Sequence, residues 1–296
     1  MTDLVAQQVS GVVAFYDAHP INEEQILRAL QARGVAQAGL TEEILQEYDQ
    51  DHFGGTEAND VLFAKAGIRR EHAVLDVCSG MGGPARYLAH RLGCRVTGLD
   101  FTESRHRGAQ RLTKLVGLDQ LVDFRLGNAL DMPFADASFD VVIGQEAWCH
   151  VPDKPRLIAE CARVARHGGA IAFTDILRTE KLSARELDRL RREMTFPTLE
   201  TLDGYGALLE RQGCKIESRD DLSGQWSGIL VQRLAMYRGL KEETVRRFGE
   251  AHFRKWDSAY AFFVGLFGEG KLGGGRLVAR SVKPSAPSGA PARDAQ

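Results

Sequence analysis

The stretch VLDVCSGMGGPARYLAH, residues 74–90, sets an aspartate and three glycines where a ligand-binding turn would need them. An apolar run ends around Asp76, and Gly80, Gly82 and Gly83 follow before a helical pattern begins. Glycines at such a turn let a ligand come close to the backbone. Gly80-Met81-Gly82-Gly83-Pro84-Ala85 fits G-x-G-x-x-[GA], and Asp100 stands near the distance of a ribose-binding acid. A dinucleotide site is therefore one reading. Asp76 speaks against it, because its carboxylate lies where a pyrophosphate would have to approach, and two anions repel. A carboxylate there suits a ligand with an ammonium group. A tight turn with no ligand is the plain alternative. Further along, GQEAWCHVPDK offers Glu146 and His150, and the ordinary pKa of an imidazole lies near working pH. Cys149 beside His150 is not read as a nucleophile pair, since sequence neighbours seldom face each other.

The surrounding pattern must position these groups. AVLDV, CRVTGLD, VDFRLGNAL, SFDVVIGQ and AIAFTDIL read as strands. GGPARYLAHRLG, SRHRGAQRLTKLVGL and KPRLIAECARVARHGG read as helices between them, the last stopping at its glycine pair. The alternation predicts an α/β fold with a doubly wound, mostly parallel sheet. Such sheets bind ligands at the carboxyl ends of their strands. Residues 1–72 read as an N-terminal helical cap. In it PINEEQILRALQARG has an asparagine cap and a glycine stop, and LTEEILQEYDQ puts Leu40, Ile44, Leu45 and Tyr48 on one face. Residues 73–180 form the binding core, and 181–268 a helical insertion with part of the sheet. Residues 269–283 are the last strand. The tail 284–296 is low in complexity and reads as disordered.

Composition narrows the class. The 296 residues carry a formal charge of -2, a poor match to a dedicated nucleic-acid binder. No apolar run reaches membrane-span length, and MTDLVAQQVSG has no secretory pattern. The five cysteines are odd in number and lack a CxxC pair. They read as reduced cytoplasmic thiols, with no disulfide frame and no metal site. The oligomeric state is open between monomer and homodimer.

Several segments from about Ala73 to Leu177 resemble the class I S-adenosylmethionine-dependent methyltransferases. VLDVCSGMGG is similar to their first motif, D-x-G-x-G-x-G, with Cys78 where glycine is usual and with Gly80 and Gly82 retained nearest the ligand. VTGLD resembles the second motif, which implies that Asp100 binds both ribose hydroxyls and that Phe101 lies beside the adenine. GNALDMPF resembles the adenine motif, with Asn128 in place of the frequent aspartate and Ala129 and Leu130 supplying backbone contacts. IGQEAWCHVPDK is similar to the strand and loop that separate cofactor from acceptor, with Gln145 and Glu146 at the strand's end. QEAWCH followed by DK resembles sarcosine/dimethylglycine and phosphoethanolamine N-methyltransferases, and YDQDHFGG resembles the entry segment of glycine-betaine-forming enzymes. GGPAR and EAxCH carry a weaker likeness to sterol C-methyltransferases. The resemblance implies a Rossmann-like fold, S-adenosylmethionine as cofactor with S-adenosylhomocysteine as product, and a small-molecule acceptor. An amine or amino-acid-like nitrogen is the favoured acceptor. The alternatives are O- or C-methylation of a secondary metabolite or lipid, an NAD(P)-dependent oxidoreductase, and a non-catalytic cofactor-binding protein.

The same resemblance places Glu146, Trp148 and His150 toward the acceptor. His150 reads as a general base or as a packing residue. Glu146 reads as a holder of a cationic acceptor or of water, or as a loop-fixing hydrogen-bond acceptor. Trp148, Trp226, Trp256 and Tyr260 read as an aromatic wall for a cation or as core. Tyr48, His52 and Phe53 read as a lid over the sulfonium or as a packing cluster. The residues before Ala73 and those between about Ser183 and Gly268 are expected to form one roof, because specificity must come from outside a shared core.

Overall fold

The computed structural model describes residues 11–17, 19 and 21–282. The segment MTDLVAQQVS and the low-complexity tail lie outside the described residues. The chain opens with helices α1 (residues 11–17), α2 (Glu23–Ala32), α3 (Glu42–Leu45) and α4 (Gly55–Ala66). Asn22 caps α2 by accepting from the Gln25 amide. The face expected over LTEEILQEYDQ shrinks to the single turn of α3; Leu45 is buried, and the chain then turns at Asp49 to meet Arg86.

The sheet begins with β1 (Ala73–Val77), α5 (Gly83–Leu92), β2 (Arg95–Asp100), α6 (Glu103–Leu115), β3 (Val122–Leu126) and β4 (Phe139–Gln145). It continues with α7 (Lys154–Val164), β5 (Ala165–Arg178), α8 (Ala184–Glu193), α9 (Leu202–Arg211) and β6 (Cys214–Asp221). Helices α10 (Ser223–Gly239), α11 (Lys241–Phe248) and α12 (Glu250–Gly268) precede β7 (Leu272–Ser281). The strand order is β3-β2-β1-β4-β5-β7-β6, and β7 runs antiparallel to both of its neighbours. The fold is thus the Rossmann-like, mostly parallel sheet that the alternation predicts. One reading changes: α7 ends at Val164, not at the glycines. ARHGG opens β5, where Gly168 takes φ 72° and a Cβ on Gly169 would strike the Asp140 and Arg166 carbonyls.

The strands are apolar because helices cover both faces. Leu75, Val77, Val142 and Phe173 pack on the α7 and α9 side, while Val74, Val96, Val141 and Ile143 pack on the α4 and α5 side. The order reverses between β1 and β4, which opens a crevice at their carboxyl ends. A third cluster joins Phe53 to Leu190, Trp226, Leu230, Tyr260 and Phe263 from α8, α10 and α12 above that crevice.

Candidate active site

A cavity of about 390 Å³ lies at the carboxyl ends of β1, β2 and β4, under α1, the 49–53 segment, α10 and α12. Its inner wall is built by the glycine turn. Cys78 takes φ 63° and Gly80 φ 54°, so the chain doubles back after β1. The left-handed backbone at Cys78 explains why glycine suits that position. The Gly80 amide donates to Asp100 Oδ2 at 2.9 Å, and the Thr102 amide donates to Oδ1 at 2.8 Å. Both carboxylate oxygens are therefore fixed at the mouth of β2. Burial raises the pKa of this carboxyl.

Asp76 is buried, and burial followed by the nearby Asp100 pushes its carboxyl up to about 7. Asp76 Oδ2, Ser79 Oγ and Gln145 Oε1 are buried on this wall without a hydrogen-bond partner among the described residues. Such groups are costly unless a ligand satisfies them. Three oxygen atoms of this kind fit a group with several N–H donors, such as an ammonium. Gln145 is oriented by donating to Asn59 Oδ1 at 2.8 Å. Phe101, Asn128, Ala129 and Leu130 continue the wall. Asn128 Oδ1 accepts from the Leu130 amide at 2.9 Å, which shapes that loop.

The outer half carries the other polar groups. Glu146 takes φ 47°, and its carboxyl accepts from the Phe53 amide and, at 2.6 Å, from the Thr174 hydroxyl. Burial pushes Glu146 up to about 7. With both oxygens engaged, it ties the N-terminal segment to the core. His150 touches Thr195 through Nδ1, and its ring meets Tyr16 at 5.3 Å and Phe196 at 5.0 Å. Burial pushes the His150 ring down to about 4, so it is neutral at pH 7. Arg233 of α10 donates to the Asp51 carbonyl at 2.8 Å and the His52 carbonyl at 2.6 Å, and lies over Phe53. Burial acts to raise the Asp51 carboxyl, but His19, Arg105 and Arg233 outweigh it and hold it below the usual range.

Residues 75–173 match the family model described as a methyltransferase domain. The chain is 31% identical to 27-O-demethylrifamycin SV methyltransferase of Amycolatopsis mediterranei over 67% of its own length and 74% of that protein's. It is 30% identical to the glycine/sarcosine/dimethylglycine N-methyltransferase of Actinopolyspora halophila over 67% of its length and 36% of that protein's. The chain belongs to the S-adenosylmethionine-dependent methyltransferases. It spans 36% to 63% of the length of the first curated relatives it matches. A solved structure of a candidate sarcosine dimethylglycine methyltransferase from Galdieria sulphuraria superposes with a TM-score of 0.73 at 21% identity, over 81% of this chain and 88% of that one. That likeness shows the fold.

In this methyltransferase, Asp76, Gly80, Asp100, Phe101, Asn128, Ala129, Leu130 and Gln145 all lie on the inner wall, and Glu146, His150, His52 and Phe53 on the outer part. Four expected residues lie elsewhere. Gly82 is off the wall; a Cβ there would strike Phe124 and Arg86, so it seats α5 on the sheet. Trp148 is fully buried, stacked on Phe173 at 4.2 Å and donating to the Val77 carbonyl. Trp226 is buried between Phe53 and β7, where a Cβ on Gly274 would strike it. Tyr48 packs in the α2–α3 cluster beneath Arg33. The aromatic wall is instead Tyr237, Trp256 and Tyr260, with Trp256 and Tyr260 stacked at 4.8 Å. Tyr16, His19, Arg233 and Tyr237 line the site without any sequence motif to announce them, and Asp51, inside the YDQDHFGG segment, lines it as well.

Proposed function

We propose that this methyltransferase transfers the cofactor's methyl group to an amine nitrogen of a small molecule held beneath the roof. The observation that carries the reading is the pairing of Asp51 with the aromatic corner of Tyr237, Trp256 and Tyr260 in one cavity. An ionised carboxylate and ring faces together favour a cationic amine and its methylated product. The orphaned oxygens of Asp76, Ser79 and Gln145 fit the ammonium of the cofactor's methionine portion, and the fixed Asp100 carboxylate fits its ribose hydroxyls. Phe101, Ala129 and Leu130, on the same wall, would flank the adenine.

Bound cofactor supplies an electrophilic methyl on a sulfonium sulfur; the protein aligns, desolvates and takes up a proton. The acceptor reacts as its free amine, and His150, neutral on the cavity wall and a weak base while burial holds its ring near 4, is the side chain placed to take up the nitrogen's proton. The freed lone pair then forms the N–C bond as the C–S bond breaks toward sulfur. Glu146 acts by holding Phe53 over the site, since both its oxygens are engaged.

A second reading, O- or C-methylation of an apolar skeleton, is favoured by Phe15, Ile176, Met194, Phe196 and Phe263 on the same wall. The two readings differ in what Asp51 contributes. For an amine and an alcohol of one skeleton, Asp51→Asn should lower kcat/KM for the amine roughly tenfold more than for the alcohol, in line with a lost charge-assisted contact. Equal losses would favour the second reading. The charge of -2 and the five cysteines suit a cytoplasmic protein that does not seek nucleic acid.

A further inference from the structure

We infer that Thr195 is a positioning residue that holds His150 in the Nδ1–H tautomer and so reserves Nε2 as the proton-accepting atom. The inference rests on the reading of His150 as the base. Thr195 lies in the loop between α8 and α9, 45 positions from His150 in sequence. It takes φ 57°, a left-handed backbone that a β-branched residue rarely adopts. Such a conformation persists only where its surroundings impose it, and it clusters at functional sites. Here it brings two oxygens of one residue to one ring atom. The Thr195 carbonyl lies 3.2 Å from His150 Nδ1, and the Thr195 hydroxyl oxygen lies 2.8 Å from it.

The tautomer follows from what these oxygens can do. A carbonyl oxygen has lone pairs only, so its contact is a hydrogen bond only when Nδ1 carries the proton. The threonine hydroxyl donates its own hydrogen to the Met194 carbonyl at 2.6 Å, so it too meets Nδ1 as an acceptor. The opposite tautomer would set the Nδ1 lone pair against the carbonyl lone pairs. A neutral imidazole has one N–H. With that hydrogen on Nδ1, Nε2 keeps its lone pair on the far side of the ring. Phe15, Tyr16 and Phe196 pack around the ring at 5.9, 5.3 and 5.0 Å and limit its rotation. Nothing in the sequence of the loop after α8 signals this pairing, because the contact is made by a backbone conformation.

The test reads the imidazole nitrogens of His150 directly, by two-bond ¹⁵N–¹H NMR on the full chain with S-adenosylhomocysteine bound. The expected result is a protonated, pyrrole-type Nδ1 and an unprotonated, pyridine-type Nε2. A protonated Nε2 in the wild type overturns the inference. Thr195→Pro forces φ to about -65° and turns the carbonyl away. It should give mixed tautomers and at least a roughly tenfold lower kcat, part of the 10²–10⁴ that a positioned base contributes. KM and cofactor affinity should stay within about twofold. Thr195→Ser, which keeps both oxygens, should restore the wild-type spectrum and rate. A folded Thr195→Pro chain with an unchanged tautomer and kcat would also overturn the inference. Failure of the base reading shows separately, as full turnover in His150→Gln, because the tautomer is read without any acceptor.

Discussion

Asp76 carries a distinct pH signature. Burial and Asp100 push its carboxyl up to about 7 in the absence of ligand. A cofactor ammonium favours the carboxylate, so binding should lower that pKa and release a proton. The sign follows: affinity for S-adenosylmethionine rises with pH until the free-protein pKa is passed, then levels. Titration calorimetry should show about a tenfold gain between pH 6 and pH 8, and Asp76→Asn should flatten it. A flat or falling profile in the wild type would remove Asp76 from the cofactor site. Asp100→Ala should weaken cofactor binding by about 1.5–3 kcal/mol for each lost charged hydrogen bond. Folded protein with unchanged affinity would contradict that role. Asp76, Gly80 and Asp100 were legible because a strand, a glycine turn and a strand end fix them locally. Asp51 and Arg233 were not, because their partners stand 181 and 182 residues apart and only folding joins them.

The same separation sets the behaviour of the roof's elements. Arg233 of α10 clasps the Asp51 and His52 carbonyls, and Glu146 after β4 holds the Phe53 amide. Helix α10 therefore closes the N-terminal segment over the crevice. Arg233→Ala should lower the local opening free energy by about 1.5–3 kcal/mol, read as faster amide hydrogen exchange across residues 51–53. Unchanged protection of the Phe53 amide would mean that the clasp carries no weight. Strands were readable as apolar runs, since both faces of the sheet are covered. The end of α7 was misread because Gly168 and Gly169 look like a helix stop, yet they serve a close approach within β5. Trp148 was misread because its position after β4 suggested the site, while its indole turns inward to the Val77 carbonyl.

At the scale of the whole molecule, the cap and the core are joined by buried charge. Arg86 of α5 is fully buried, with Asp49 at 2.7 Å and Glu42 at 3.7 Å. Burial, followed by the like charge of Asp49, pushes the Glu42 carboxyl up to about 8, so Asp49 is the principal counter-ion. Asp49→Ala removes the nearer partner of that buried guanidinium and leaves only Glu42 at 3.7 Å, which should cost up to about 3–5 kcal/mol, measured by urea unfolding. A loss below about 1 kcal/mol would show that the cap does not depend on this pair. The cap is thus tied to the core by buried charge and also lines the cavity, which a shared motif in the core could not reveal. The proposed methyl transfer to an amine can be tested on the whole chain. The direct measurement follows the labelled methyl of S-adenosylmethionine in the full chain, given amines, alcohols and carbon nucleophiles of matched apolar skeletons. Label is expected on an amine nitrogen, with S-adenosylhomocysteine formed one for one. Label found only on oxygen or carbon, while the cofactor binds normally, would contradict it.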